Sequence, residues 1–356
     1  MNLRKRIIKG LIVLTLALPL SGCWDNIDIN HRVLPVVLGI SKSEGIFHVF
    51  LQISEPVTDR IRIKIVSGSG RTITHAIDRL SMNMEEHVDL LHVKIVLLDK
   101  QFAMEGMSES IVDFMRARDI SPKALVAICD EDLPSFFDKV KKGLESQGTI
   151  LFDFFEKNAG WNPQISLTRV WQVYRSIHSF TRDVAIPIVR SGKTTAIEHI
   201  GSAVIKNGRM VARISPSETL LFNAFNGEST QGSIEVMNHA SVLITANTMR
   251  NTSSMIGDTP YMKSTIRLKV VLLETRGQPT NEMIREELDK LLTERFNAMF
   301  GKIQAVKADI LGLGQFYRHI IPRESLADWR EEYYPRLQLE MHIETNIQNT
   351  GFLNTP

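Results

Sequence analysis

Cysteine is nearly missing from this chain: 356 residues contain two, Cys23 and Cys129. A scaffold stapled by several disulfides is thereby excluded. No apolar run reaches the roughly 20 residues that a membrane-crossing helix needs, so a polytopic membrane protein is excluded as well. Neither sign of charge dominates, with 42 basic against 40 acidic side chains. Such a chain has no general pull on phosphates and is not a dedicated nucleic-acid binder. Low-complexity blocks and internal repeats are absent too, which removes solenoids and propellers. What remains is an ordinary folded composition, 43% hydrophobic and 23% charged. The length suits two or three domains.

Recognisable catalytic patterns are equally scarce. The sequence has no His-Glu-x-x-His, no Cys-x-x-Cys and no Gly-x-Ser-x-Gly elbow. Ser191, Gly192, Lys193 and Thr194 resemble the end of a phosphate-binding loop, but Pro187 stands where its first glycine is required. The stretch reads as a polar linker. Gly68, Ser69 and Gly70 read as turn residues before a helix rather than an anion cradle. His87 and His92 are too irregularly spaced for a known ligand pair, and with Glu85, Glu86 and Asp89 beside them they read as a capped turn. Asp130, Glu131 and Asp132, like Glu331 and Glu332, read as solvated helix ends. Cys129 closes a strand and reads as a buried structural thiol. No catalytic residue, no metal and no cofactor is expected.

The N-terminus is more informative. Arg4, Lys5, Arg6 and Lys9 precede an apolar stretch at 11–18, with no acidic residue before Cys23. A basic segment followed by a short apolar one is the build of a secretory signal, too short to span a bilayer. It ends in Leu20, Ser21, Gly22 and Cys23, which resembles a bacterial lipobox. That resemblance implies diacylglycerol on the Cys23 thiol, cleavage after Gly22 and acylation (palmitate) of the new N-terminus. Loss of the four signal cations leaves 38 basic side chains of the 42, against 40 acidic. The processed chain is slightly acidic.

Along the rest of the chain the pattern mixes hairpins with helices. Strands are expected at 33–40 and 47–53 across a turn at Gly45, and at 60–66, where charged and apolar residues alternate. A helix follows from Thr72, then a strand at 91–98, a helix at 102–116 and a strand at 124–129. Helices at 133–142 and 166–179 precede an extended segment at 184–190. Beyond the linker, 200–205 and 209–214 form a hairpin around Asn207 and Gly208, which supply the positive φ angles of a tight turn. A helix at 216–225, strands at 233–238, 240–248 and 265–274, a long helix at 280–300 and a last strand at 337–343 complete the chain. In the long helix Ile284, Leu288, Leu291, Leu292, Phe296 and Met299 make one stripe. This order predicts a multidomain α+β fold with mixed or antiparallel sheets packed against helices, rather than a doubly wound sheet. The expected division is a signal at 1–22, an N-terminal α+β domain at 23–190, a linker at 191–198 and a C-terminal α+β domain at 199–356.

Gly22, Cys23, Trp24, Asp25, Asn26, Ile27, Asp28 and Ile29, with the strand ending in Gly39 and Ile40, resemble the opening of the Ger(x)C family of spore germination lipoproteins. Three further stretches agree: HVDLLHVKIVLLDKQFA at 87–103, the hairpin from Gly201 onward, and a C-terminal set of Asp309, Gly312, Gly314, Pro322, Trp329, Tyr333, Pro335 and Gly351. Asn26 departs from the arginine usual in the family, and Ser41 and Lys42 from an aspartate. The resemblance implies a non-catalytic C subunit of a nutrient germinant receptor. It would be anchored through Cys23 to the outer face of the cell membrane (the inner membrane of the spore) and assembled with membrane-embedded A and B subunits. Trp24 and Asp25 either belong to the docking surface near the membrane or simply begin the first domain. Two other readings stand beside this one: a solute-binding lipoprotein delivering a small ligand to a transporter, and an envelope hydrolase.

Overall fold

The computed structural model describes, apart from the lone Arg4, residues 31–57, 60–147, 151–155 and 162–349. Its first half contributes β1 (Arg32–Val33), β2 (Pro35–Ser43), β3 (Ile46–Val57), β4 (Arg60–Gly70), α1 (Ile73–Met82), β5 (His87–Val88), β6 (Ile95–Asp99), α2 (Lys100–Glu105), α3 (Ser108–Ala117), β7 (Leu125–Cys129), α4 (Leu133–Gln147), α5 (Leu151–Phe155), α6 (Val170–Ile177) and β8 (Val184–Ser191). Then come β9 (Ile197–Lys206) and β10 (Arg209–Ile214). An eight-stranded sheet runs β10-β9-β8-β7-β6-β2-β3-β4. Its middle strands β2, β6, β7 and β8 are parallel, and the outer pairs are antiparallel hairpins.

The middle of this sheet is dry on both faces, which explains why β6 and β7 are apolar at successive positions instead of alternating. Leu38, Ile40, Val96, Leu98, Val126 and Ile128 face one way, against Ile73, Phe102, Ile111 and Val173 of α1, α2, α3 and α6. The intervening residues Val37, Ile95, Leu97, Ala127 and Cys129 face the other way, against Phe136, Phe137 and Val140 of α4 and Leu151 and Phe155 of α5. That is the two-residue period of a strand resolved into two cores.

The second half adds α7 (Pro216–Phe225), β11 (Ile234–Val236), β12 (Ala240–Ile256), β13 (Thr259–Thr275), α8 (Asn281–Ala305) and β14 (Gln338–Asn349). A four-stranded sheet is ordered β11-β12-β13-β14. β13 and β14 are parallel, joined by a crossover that contains α8. The stripe of α8 is buried as expected, with Ile284, Leu288, Leu292, Phe296 and Met299 inside and Leu291 partly so. In α7 every residue from Glu218 to Phe225 is buried, because the helix lies between the two sheets. Ala185, Val204 and Ile214 of the large sheet share one core with α7, α8 and the small sheet.

Several expectations change in detail. The segment 191–198, expected as a linker, is the turn of an antiparallel pair: Ser191 lies opposite Ile197, and the Gly192 N–H donates to the Ala196 carbonyl at 3.2 Å. Ile197 is buried on the sheet, so apolar burial holds the two strands together across it. Gly68 and Gly70 lie inside β4, not in a turn; a Cβ at Gly68 would meet Leu80 at 2.7 Å, and one at Gly70 the Ala76 nitrogen at 2.7 Å. They let α1 lie directly on the sheet. The single helix expected at 102–116 is two, broken at Gly106 with φ 129°. The expected strand at 91–98 begins as a short 3-10 turn, Leu90–His92, before β6. The hairpin at Asn207 and Gly208 is present, with φ values of 49° and 70°. Ser215 and Glu218 cap α7 reciprocally.

Candidate functional site

The densest buried polar structure lies where β8 meets the C-terminal segment. Asp183 precedes β8, and its carboxylate receives both arms of Arg330, Nη2 at 2.7 Å and Nε at 3.0 Å. Arg330 Nη2 also donates to the Ser179 carbonyl at 2.7 Å. Asp183 and Asp309 exchange bonds: the Asp183 N–H donates to the Asp309 carbonyl, and the Asp309 N–H to the Asp183 carboxylate, each at 2.8 Å. The Asp309 carboxylate accepts from the Leu313 N–H at 2.8 Å, the Gly314 N–H at 2.9 Å and the Trp329 indole at 2.9 Å. Gly314 is required there, since a Cβ would come within 2.8 Å of the Trp329 ring. Tyr317, Tyr333 and Tyr334 surround the same indole.

Burial dominates the electrostatics of this group. It pushes Asp309 up to about 6, against the opposing pull of its hydrogen bonds to Gly314, Leu313 and Trp329. Asp183 is also raised by burial, although Arg330 draws it the other way. Neither carboxylate reaches solvent. The arrangement is a clamp joining the two halves rather than acid-base machinery, because no substrate atom has access to it.

Beside the clamp opens a cleft of about 810 Å³. One wall is α6 with the segment before it; the other is α7, with Ile310 below. Four cationic side chains line it: Lys123, Arg169, Arg175 and Arg182. The Arg175 guanidinium lies over the Trp171 ring, 4.9 Å from its centroid. Arg169 Nη1 donates to the Lys123 carbonyl at 2.7 Å, which holds the Arg169 guanidinium against that backbone. The Nε of Arg182 is buried without a hydrogen-bond partner.

The residues singled out in the sequence fall elsewhere. Gly22, Cys23, Trp24 and Asp25 lie outside the described residues. His87 and His92 flank a capped turn: Asp89 accepts from the Leu91 N–H at 2.9 Å and pairs with Arg32 at 2.6 Å. Asp132 caps α4 through Ser135, while Glu131 binds Lys139 at 2.7 Å and the Ser191 N–H. Glu331 bridges Lys206 and Lys307, tying β9 to the C-terminal segment. Cys129 is fully buried in β7, and desolvation pushes its thiol up to about 12. Among the described residues no group of three or more His, Cys, Asp or Glu side chains is placed to hold a metal ion, and no helix is long and apolar enough to cross a membrane. Asp309 and Trp329 of the clamp were marked by the C-terminal pattern. Asp183 and Arg330 had no sequence signal, since each is an isolated charge whose partner lies 147 residues away, and the cleft arginines had none because only packing brings them to one cavity.

Two family models match in tandem: the spore germination protein N-terminal domain over residues 25–191, and the spore germination B3/GerAC-like C-terminal domain over residues 200–351. The chain is a member of the Ger(x)C family of spore germination proteins. Spore germination protein KC of Bacillus subtilis (strain 168) is 21% identical, over 99% of this chain and 98% of its own. Spore germination protein A3 of the same organism is 20% identical, over 97% and 98%. The crystal structure of the GerBC protein superimposes with a TM-score of 0.59 at 14% identity, covering 88% of this chain and 97% of that one. The Ger(x)C chain described here therefore shares that α+β fold, has a role in spore germination, and is a non-enzymatic component of it.

Proposed function

We propose that this Ger(x)C protein is the lipid-anchored, non-catalytic C subunit of a spore nutrient germinant receptor, required for the response to small nutrients. The observation that carries the reading is the tandem match of both family models along one chain whose residues 20–23 resemble a lipobox ending in Cys23. In this reading Cys23 becomes the processed N-terminus and carries the acyl chains. One chain binds a bilayer marginally, whereas two or three hold it durably, at about 0.8 kcal/mol per buried CH₂. The anchor confines the folded part to the outer face of the spore's inner membrane. That raises its effective concentration for docking on membrane-embedded A and B subunits. Trp24 and Asp25, next to the anchor, belong to the docking surface in this proposal.

The test is a Cys23→Ala strain. Loss of the protein from the membrane fraction together with a reduced germination response to nutrients is expected. Full membrane retention and normal germination would overturn the anchored-subunit reading.

A further inference from the structure

We infer that the cleft between α6 and α7 is a binding site for a small multivalent anion carrying carboxylate or phosphate groups. Four cationic side chains converge there, Lys123, Arg169, Arg175 and Arg182. Its acidic lining residues are Asp183 and Glu228, and Asp183 is already committed to Arg330. None of the four cations forms an ion pair with another described residue. Of the four, Arg169 and Arg182 are half-buried and Lys123 and Arg175 exposed; elsewhere half-buried or buried arginines are paired, Arg330 with Asp183, Arg295 with Glu235 and Arg32 with Asp89. Arginines left facing one another in a partly desolvated cleft repel, and Arg175 shows it, its guanidinium pulled down by desolvation first and by the charge of Arg182 second.

The geometry also selects the kind of anion. The Arg175 guanidinium lies over the Trp171 ring and donates no hydrogen bond to another described residue, so its N–H groups are available for a two-point contact. The Nε of Arg182 is covered by Gly312, whose Cβ position lies 2.4 Å away, so it is closed to a ligand in the cleft. A volume of about 810 Å³ lies in the range of small-molecule sites. Two or more anionic groups on one molecule satisfy cations along the α6 wall and at the base of the cleft. The base of the site is immobile, because Arg182 and Asp183 precede β8 and are fastened to the C-terminal segment by the clamp.

The inference is independent of the anchored-subunit reading, since it concerns binding by the protein alone. The full chain, purified in a neutral detergent at low chloride, is titrated with citrate and with inorganic phosphate by calorimetry and thermal unfolding. Both anions are expected to bind and to raise the unfolding midpoint. Arg175→Gln and Arg182→Gln are each expected to weaken binding by about tenfold or more. Neither should lower the midpoint without anion, because each relieves repulsion. Arg250→Gln, an exposed site on β12, should bind as the parent does. Where a glutamine variant unfolds, Arg175→Lys and Arg182→Lys replace it and must still weaken binding. Absence of binding by the parent at about 1 mM anion, or equal loss in Arg250→Gln, overturns the inference. Binding of a glutamate-rich peptide but of neither small anion also overturns it, assigning the cleft to an acidic partner segment.

Discussion

Asp183 is shielded from water on every side, and Arg330 is the only cation that contacts it among the described residues. Removing that partner leaves a buried carboxylate with the Asp309 N–H but no opposite charge, so Arg330→Met is expected to cost about 3–5 kcal/mol. Urea unfolding of the variant checks this, and a loss below about 1 kcal/mol would show that water reaches Asp183. Asp309 makes a separate prediction. Its ordinary value is 3.8, and the fold raises it to about 6. Between those values the folded state keeps a proton that the unfolded chain has released. Its contribution to stability is therefore fully present below about pH 4 and is lost as pH rises through about 6, on the order of 3 kcal/mol. Asp309→Asn has no such titration. The stability of the parent relative to this variant should fall across pH 4–7 in denaturant unfolding, and a constant difference would refute the assignment.

At the scale of elements, β4 and α1 depend on two missing Cβ atoms. A methyl group at Gly70 would strike the backbone of Ala76, which cannot rotate aside. Gly70→Ala is expected to destabilise by about 1–3 kcal/mol through forced separation of α1 from the sheet. Gly45, at φ 79° in the β2–β3 turn, has no atom near its absent Cβ. Gly45→Ala meets only backbone strain, about 1 kcal/mol. Thermal melts of the two variants should rank them in that order. Hydrogen exchange should place the Gly70→Ala damage in α1. The reverse ranking would mean that α1 yields easily.

For the whole molecule, the division between the two family models falls at the turn between β8 and β9, inside a continuous sheet. The core that α7 shares with Ala185, Val204 and Ile214 crosses the same line, as does the clamp. Residues 25–191 alone would expose the edge of β8 and one face of its strand. That fragment is expected to aggregate or remain unfolded, whereas the full chain unfolds in one transition. Coincident circular dichroism and tryptophan fluorescence curves check the second point. A soluble, cooperatively folding fragment would show that the halves are energetically separate.

Local chemistry made much of this molecule readable from the chain. Alternation in β4, the Asn207–Gly208 turn and the stripe of α8 each depend on neighbours within a few residues. The family pattern, and the lipobox-like stretch ending in Cys23 on which the anchoring proposal rests, are local as well. What the sequence could not reveal depends on separations of tens to hundreds of residues. Gly68 and Gly70 look like turn residues until α1 is laid across them. The stretch after Ser191 looks like a linker until Ile197 is buried on the same sheet. Asp183 finds Arg330 only when β8 and the C-terminal segment come together, and Arg182 joins Lys123, Arg169 and Arg175 when α6 and the segment before it pack beside β7 and β8. Backbone periodicity determined the elements; close packing and the cost of burying unpaired charge decided which distant groups had to meet.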